Sequence, residues 1–214
     1  MKGMFSPDNP VIRFFIWLGN IWWLNILWLI CSLPVVTIGA STTALVYSCM
    51  KLKKDEGYPT SNFFKSFKEN FLQATLIWLI YLAVGALIIL GLIFWNNAQI
   101  PGAKLCWAVV IAVGIFYVIS LMYVFAIQSK FVNSIKDTIR FSVLVAFANL
   151  KDTFLIFCVF AGVVLANIFT TLVVNVITLF VGMGIITYLL GIYYAHVFEK
   201  YIPVQDYPDA QTNE

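Results

Sequence analysis

The sequence predicts an all-α, polytopic membrane protein of about six transmembrane helices with two amphipathic helices at the cytoplasmic interface. Three observations predict it. The chain is 62% hydrophobic and 11% charged with a mean hydropathy of +0.92, against roughly 45–50% and about 25% for soluble domains. Its charges leave long gaps, from Arg13 to Lys51, Glu69 to Lys104, Lys104 to Lys130 and Asp152 to Glu199. Each gap holds one or two helices of the roughly 20 residues that cross a bilayer core. The basic residues are also distributed unevenly between the two sets of loops this arrangement creates.

The first span is expected over about 14–33, ending at Pro34 because the residue before a proline is pushed out of helical geometry. The second covers about 35–52 and carries the small and hydroxylated run Thr37, Gly39, Ser41, Thr42, Thr43 and Ser48. An interfacial helix is expected over about 61–71. It has Phe63, Phe64, Phe67 and Phe71 on one face, lysines off it and Ser61 as its cap. Spans at about 72–94 and 105–129 flank the loop "NNAQIPGAK", with Trp95 and Trp107 as interface anchors. A second interfacial helix is expected over 134–150, with Ile135, Ile139, Val143 and Ala146 on its apolar face. The uncharged stretch 153–198 is too long for one span and reads as two, 153–174 and 177–198, with a turn near Asn175. Ser48 with Ser129, and Asn70 with Asn149, lie about 80 residues apart, a faint internal repeat. The whole of 1–214 reads as a single integral membrane domain.

An even number of crossings puts both termini on one side. Every Lys and Arg except Lys104 then falls on that side, which the positive-inside rule assigns to the cytoplasm of a cell (plasma) membrane. Cleavage after Ala40 as a secretory signal is disfavoured. The apolar run exceeds the usual ~7–15 residues of a signal, and Ile38 is poor three places before the cut.

The second span holds the most informative pattern. Thr37, Ser41, Ala44 and Ser48 share one helical face, and Gly39 with Thr43 is a small-xxx-small pair. Lipid gives helices no hydrophobic reason to associate, so close backbone approach and hydroxyl bonds provide it. The first span is the expected neighbour, across the short connection at Pro34. Folding that hairpin sets Asn25 beside Thr42 and Thr43, and Asn25 is expected to bond across it.

Reactive chemistry is sparse. The apolar stretches 14–50, 72–103, 105–129 and 153–198 contain no Asp, Glu, Lys or Arg, whereas pumps and transporters usually bury such groups. There is no GxSxG elbow, HExxH pair or P-loop, and no cofactor or metal is expected. His196 reads as an interfacial polar residue. Cys31, Cys49, Cys106 and Cys158 have no CxxC spacing and read as packing residues. With a net charge of +3 and no basic arm, no nucleic-acid partner is expected. Asn25, Gln128, Asn167 and Asn175 fit either a polar cavity or, more commonly, bonds between helices.

"FSPDNP", "LNILWLICSLPVVTIGASTTAL" and "NFFKSFKENFLQATLIWLI" together resemble the YesL-like family of bacterial integral membrane proteins, a domain family of unknown function. Leu33-Pro34 followed by Thr37, Gly39 and Ala44-Leu45 is the most specific part. The resemblance runs from about Met4 to Tyr201 and thins in the second half. It implies a Gram-positive group whose genes often neighbour sugar ABC importers and two-component regulators, and it supplies no catalytic residues. Two readings result. One is a non-enzymatic accessory or scaffold subunit of a sugar ABC importer or a sensor kinase, docking through spans and the phenylalanine faces. The other is a small transporter or channel for an uncharged solute, lined by the second span.

Overall fold

The computed structural model describes residues 10–201; the opening "FSPDNP" motif lies almost wholly outside them. The described chain is helical, in the order α1 (Pro10–Ser32), a 3₁₀ turn (Val35–Thr37), α2 (Ile38–Lys53), α3 (Pro59–Asn97), α4 (Ala103–Lys130), α5 (Ile135–Ala148), α6 (Leu150–Phe169), α7 (Leu172–Ile177), a π-helical segment (Thr178–Gly182) and α8 (Met183–Glu199). Among the described residues, five helices are long and apolar enough to cross a membrane: α1, α2 with its 3₁₀ turn, α3, α4 and α6.

Local chemistry sets the boundaries. Proline occupies the first position of α1 and of α3, where its missing N–H costs nothing. Pro34 is extended, at φ −74° and ψ 113°, and ends the first helix as anticipated. Asp55 and Gly57 take positive φ, 53° and 68°, to turn the chain between α2 and α3. Gly102, at φ 87°, does the same before α4, where glycine suffers no Cβ penalty. Ser134 caps α5, its Oγ accepting from Asp137 N–H at 3.2 Å.

Three expectations need correction. The stretch 61–71 is no separate interfacial helix but the first part of a continuous 39-residue α3, because no helix breaker lies between Pro59 and Gly85. The second expected interfacial helix, α5, is packed into the bundle. Its Thr138, Ser142, Val145 and Ala146 are buried, and Ile139 and Val143 line a cleft with Ile80 of α3 and Val113 of α4. Protein neighbours thus cover these sides of the helix, while Lys136, Arg140 and Leu144 stay exposed. The turn after α6 falls at Thr170 and Thr171, not near Asn175. Thr170 Oγ1 lies 2.7 Å from Ala166 O and 2.9 Å from Asn175 Oδ1, its single proton shared between the two acceptors, which closes α6 before the asparagine is reached.

The core is built around α2, most of whose length is buried. It packs against α3, α8, α4 and α1. One apolar cluster joins Leu24 and Leu27 of α1 to Ala44, Leu45 and Cys49 of α2 and Phe63 of α3. Another joins Val46 and Met50 to Tyr123, Ala126, Ile156, Tyr194 and Val197. By contrast α3 beyond Trp78, the first part of α4 and α6 present large exposed apolar side chains, among them Leu87, Leu90, Leu105, Phe154 and Ile168. A surface of that kind matches lipid rather than water.

Candidate functional site

The polar stripe begins where the first helix ends. Thr37 Oγ1 lies 2.6 Å from Cys31 O and 2.7 Å from Pro34 O; the first is one of the last carbonyls of α1, which helix termination leaves without an intrahelical partner. Thr37 N–H closes the 3₁₀ turn on Pro34 O at 2.9 Å. Trp78 Nε1 then reaches from α3 to Val35 O at 2.8 Å, tying the tip of the α1–α2 hairpin to that helix.

Along α2 the hydroxyls are spent inside the protein. Ser41 Oγ is 3.0 Å from Ile38 O and 3.1 Å from Thr37 O, so its proton goes to its own helix. Ser32 therefore donates to Ser41 across the hairpin, at 2.6 Å. Trp28 Nε1 donates to Thr42 Oγ1 at 3.2 Å, a second bridge between α1 and α2. Thr43 donates to Gly39 O at 2.9 Å and Ser48 to Ala44 O at 2.8 Å. Such back-bonding inside a helix satisfies the hydroxyl where no water reaches. Ala44 is fully buried in the cluster shared with α1.

Gly39 serves a different neighbour from the one anticipated. A Cβ built there would meet the Ala74 carbonyl oxygen, Trp78 Cβ at 2.7 Å and the Phe125 ring at 3.0 Å. The glycine permits close approach of α2 to α3 and α4, not to α1. A backbone carbonyl cannot be displaced cheaply, so only glycine fits.

Asn25 also corrects an expectation. It does not bond Thr42 or Thr43; its Nδ2 donates to Leu179 O at 3.0 Å and Phe180 O at 2.6 Å. Both carbonyls belong to the π segment, where the wider turn disturbs the regular ladder. Asn25 is fully buried and its Oδ1 has no hydrogen-bond partner among the described residues. The approach that allows this is set by Gly184, where a Cβ would lie 2.9 Å from Ile21 O and 3.0 Å from Asn25 Cβ. Prediction missed the partner because the amide and its acceptors are 154 and 155 residues apart.

A second set of polar groups locks α3, α4 and α5 together. Ser142 Oγ donates to Ile139 O at 2.7 Å, so Ser120 donates to Ser142 at 2.6 Å and the Tyr81 hydroxyl donates to Ser120. Tyr117 completes the group by donating to Tyr81 O at 3.1 Å. Nearer the charged ends, Gln128 Nε2 donates to Asn70 Oδ1 at 2.9 Å, and Gln73 Nε2 to Asn133 O at 2.5 Å. Gln128 and Asn167 thus act within and between helices: Asn167 Nδ2 bonds Val163 O at 2.8 Å.

The four phenylalanines divide. Phe63 is closed off against α2, Phe67 is half-buried beside it, and Phe64 and Phe71 are 40% and 37% exposed. Only the latter two offer themselves to another molecule. Nearby, Lys51 pairs with Glu56, and this bond, helped by Lys54 and Lys130 and opposed by partial burial, holds the Glu56 carboxyl below the usual range. At the end of α8, Lys200 lies 3.7 Å from Asp152 and 3.0 Å from Asn149 Oδ1. Among the described residues no three His, Cys, Asp or Glu side chains gather as a metal site.

Residues 21–92 match the family described as "Protein of unknown function, DUF624". That segment holds most of α1, all of α2 and α3 up to Leu92, so it coincides with the hairpin, the polar stripe and the Gly39 contact. No curated protein and no solved structure matches the chain.

Proposed function

We propose that the protein is a non-enzymatic accessory or scaffold component of a cell membrane, crossing it six times with both termini in the cytoplasm. The sixth crossing is the run from Leu172 to Glu199, and the sidedness follows from the basic residues gathered at one end. The observation that carries the reading is the internal use of the α2 hydroxyls. A solute path along α2 needs polar groups free to replace hydration, whereas Thr37, Ser41, Thr43 and Ser48 are buried and bonded to the protein itself. This favours the accessory role over a transporter for an uncharged solute. The partner class, a sugar ABC importer or its sensor kinase, rests on the YesL-like resemblance; exposed Phe64 and Phe71 are the docking candidates.

Purification in mild detergent from the native membrane tests this. An importer subunit or sensor kinase is expected in stoichiometric amount, lost when Phe64 and Phe71 are both replaced by serine. A protein that always emerges alone, and whose loss leaves sugar uptake unchanged, overturns the assignment. Solute flux from the purified protein in liposomes, abolished by Ser41→Leu, would install the transporter instead.

A further inference from the structure

Between α3, α4 and α6 lies a groove of about 860 Å³, inside the roughly 300–1,000 Å³ range of small-ligand sites. Its walls include Ile88 and Leu92 of α3, Gly114 and Val118 of α4, and Phe154 and Phe157 of α6. The polar side chains on it are already engaged. Tyr117 donates to Tyr81 O at 3.1 Å and Thr153 to Ala146 O at 2.8 Å, so the groove offers a ligand only apolar surface. The groove has room beside Gly114, where a Cβ would touch nothing nearer than Ile88 Cγ2 at 3.6 Å.

All three helices that form the walls are long and apolar enough to span a membrane. Water is therefore excluded from the groove's depth, and an empty groove would forfeit the dispersion contacts of its lining. Hydrocarbon chains are the material at hand to fill it. Charge supplies the second element. Leu150 is where α6 begins and where it joins the groove wall, and the next residue, Lys151, is exposed. A lysine near a bilayer surface attracts anionic headgroups. We propose that the groove holds an acyl chain of an anionic phospholipid from the leaflet on the Lys151 side, with its phosphate at Lys151. The site is independent of the accessory role and requires only that the chain be embedded in a bilayer.

The test uses purified full-length protein in vesicles of phosphatidylglycerol and phosphatidylcholine, with phosphatidylglycerol bearing a photoactivatable diazirine on one acyl chain. Label is expected to concentrate on the half-buried groove residues Ile88, Ile111 and Ile119 above exposed residues such as Leu33, Leu87 and Ile168. Gly114→Trp, which fills the groove, should reduce groove labelling to the level of those exposed positions. Gly162→Trp, placed where a Cβ meets nothing within 4 Å, should leave it unchanged. Even labelling of all exposed apolar faces in the wild-type protein overturns the site without recourse to any variant. Lys151→Glu should abolish the preference for the phosphatidylglycerol probe over its phosphatidylcholine counterpart, and an unchanged preference overturns the headgroup assignment.

Discussion

Asn25 and Leu179 stand 154 residues apart in the chain, yet the amide of one donates to the carbonyl of the other at 3.0 Å. With the companion bond to Phe180 O, this contact joins the first helix to the irregular turn of the last. Asn25→Leu removes both bonds, and also an acceptor that had no partner, so the net loss should stay near the ~0.6–1.7 kcal/mol typical of polar contacts between membrane helices. Hydrogen exchange in detergent should locate the loosening at Met183 to Ile186, in the first turn of α8. Unchanged exchange there would show that the amide does not hold the π segment.

Gly39→Val forces a branched side chain onto the Ala74 carbonyl and Trp78. It should destabilise by at least the ~1–3 kcal/mol of an overpacked core, read as a lower melting temperature in detergent. Gly162→Val meets open space and should change the melting temperature little.

The donor chain from Tyr81 through Ser120 to Ser142 has a direction, because Ser142 commits its proton to Ile139 O. Tyr81→Phe removes the head of the chain and Ser142→Ala its tail. A double-mutant cycle should show the two to be non-additive by about 0.5 kcal/mol or more, the signature of a shared network. Additivity would mean that Tyr81 and Ser142 act independently and share no network through Ser120.

Glu56 gives the link between α2 and α3 a pH dependence. The Lys51 bond lowers its carboxyl pKa from an ordinary value of 4.5. The associated stability is therefore present above that value and lost as pH falls through it toward the lower folded one. Glu56→Gln should flatten the acid limb of a stability curve below about pH 5 and have only a small effect at neutral pH, since the pair is partly exposed and solvent screens it.

Much of the fold is legible in particular residues. Pro34 marks the end of α1, Gly102 with Pro101 marks the turn before α4, and the charge gaps mark the apolar helices. The class of contact on α2 is legible too, since Ser32 with Ser41 and Trp28 with Thr42 do bridge the hairpin. What periodicity does not carry is which helix each face meets. Gly39 reads as a hairpin residue because α1 is its neighbour in sequence, yet its open side turns to α3 and α4. The phenylalanine face of α3 has the amphipathic spacing of an interfacial helix, but Phe63 buries against α2 and the helix runs on. The π segment leaves no mark in local periodicity, and the amide that meets its carbonyls comes from α1.

The bond from Trp78 to Val35 O fixes how far the hairpin tip reaches along α3. From there α3 continues to Asn97, about 28 Å at 1.5 Å per residue. Over that length it runs beside α4, with Ile88 facing Gly114 and Val110 facing Gly91 closely enough that a Cβ on either glycine would come into van der Waals contact. A thinner or thicker bilayer therefore acts first on this long paired arm, which tilts to match the hydrocarbon, while the hydroxyl-bonded centre around α2 keeps its geometry.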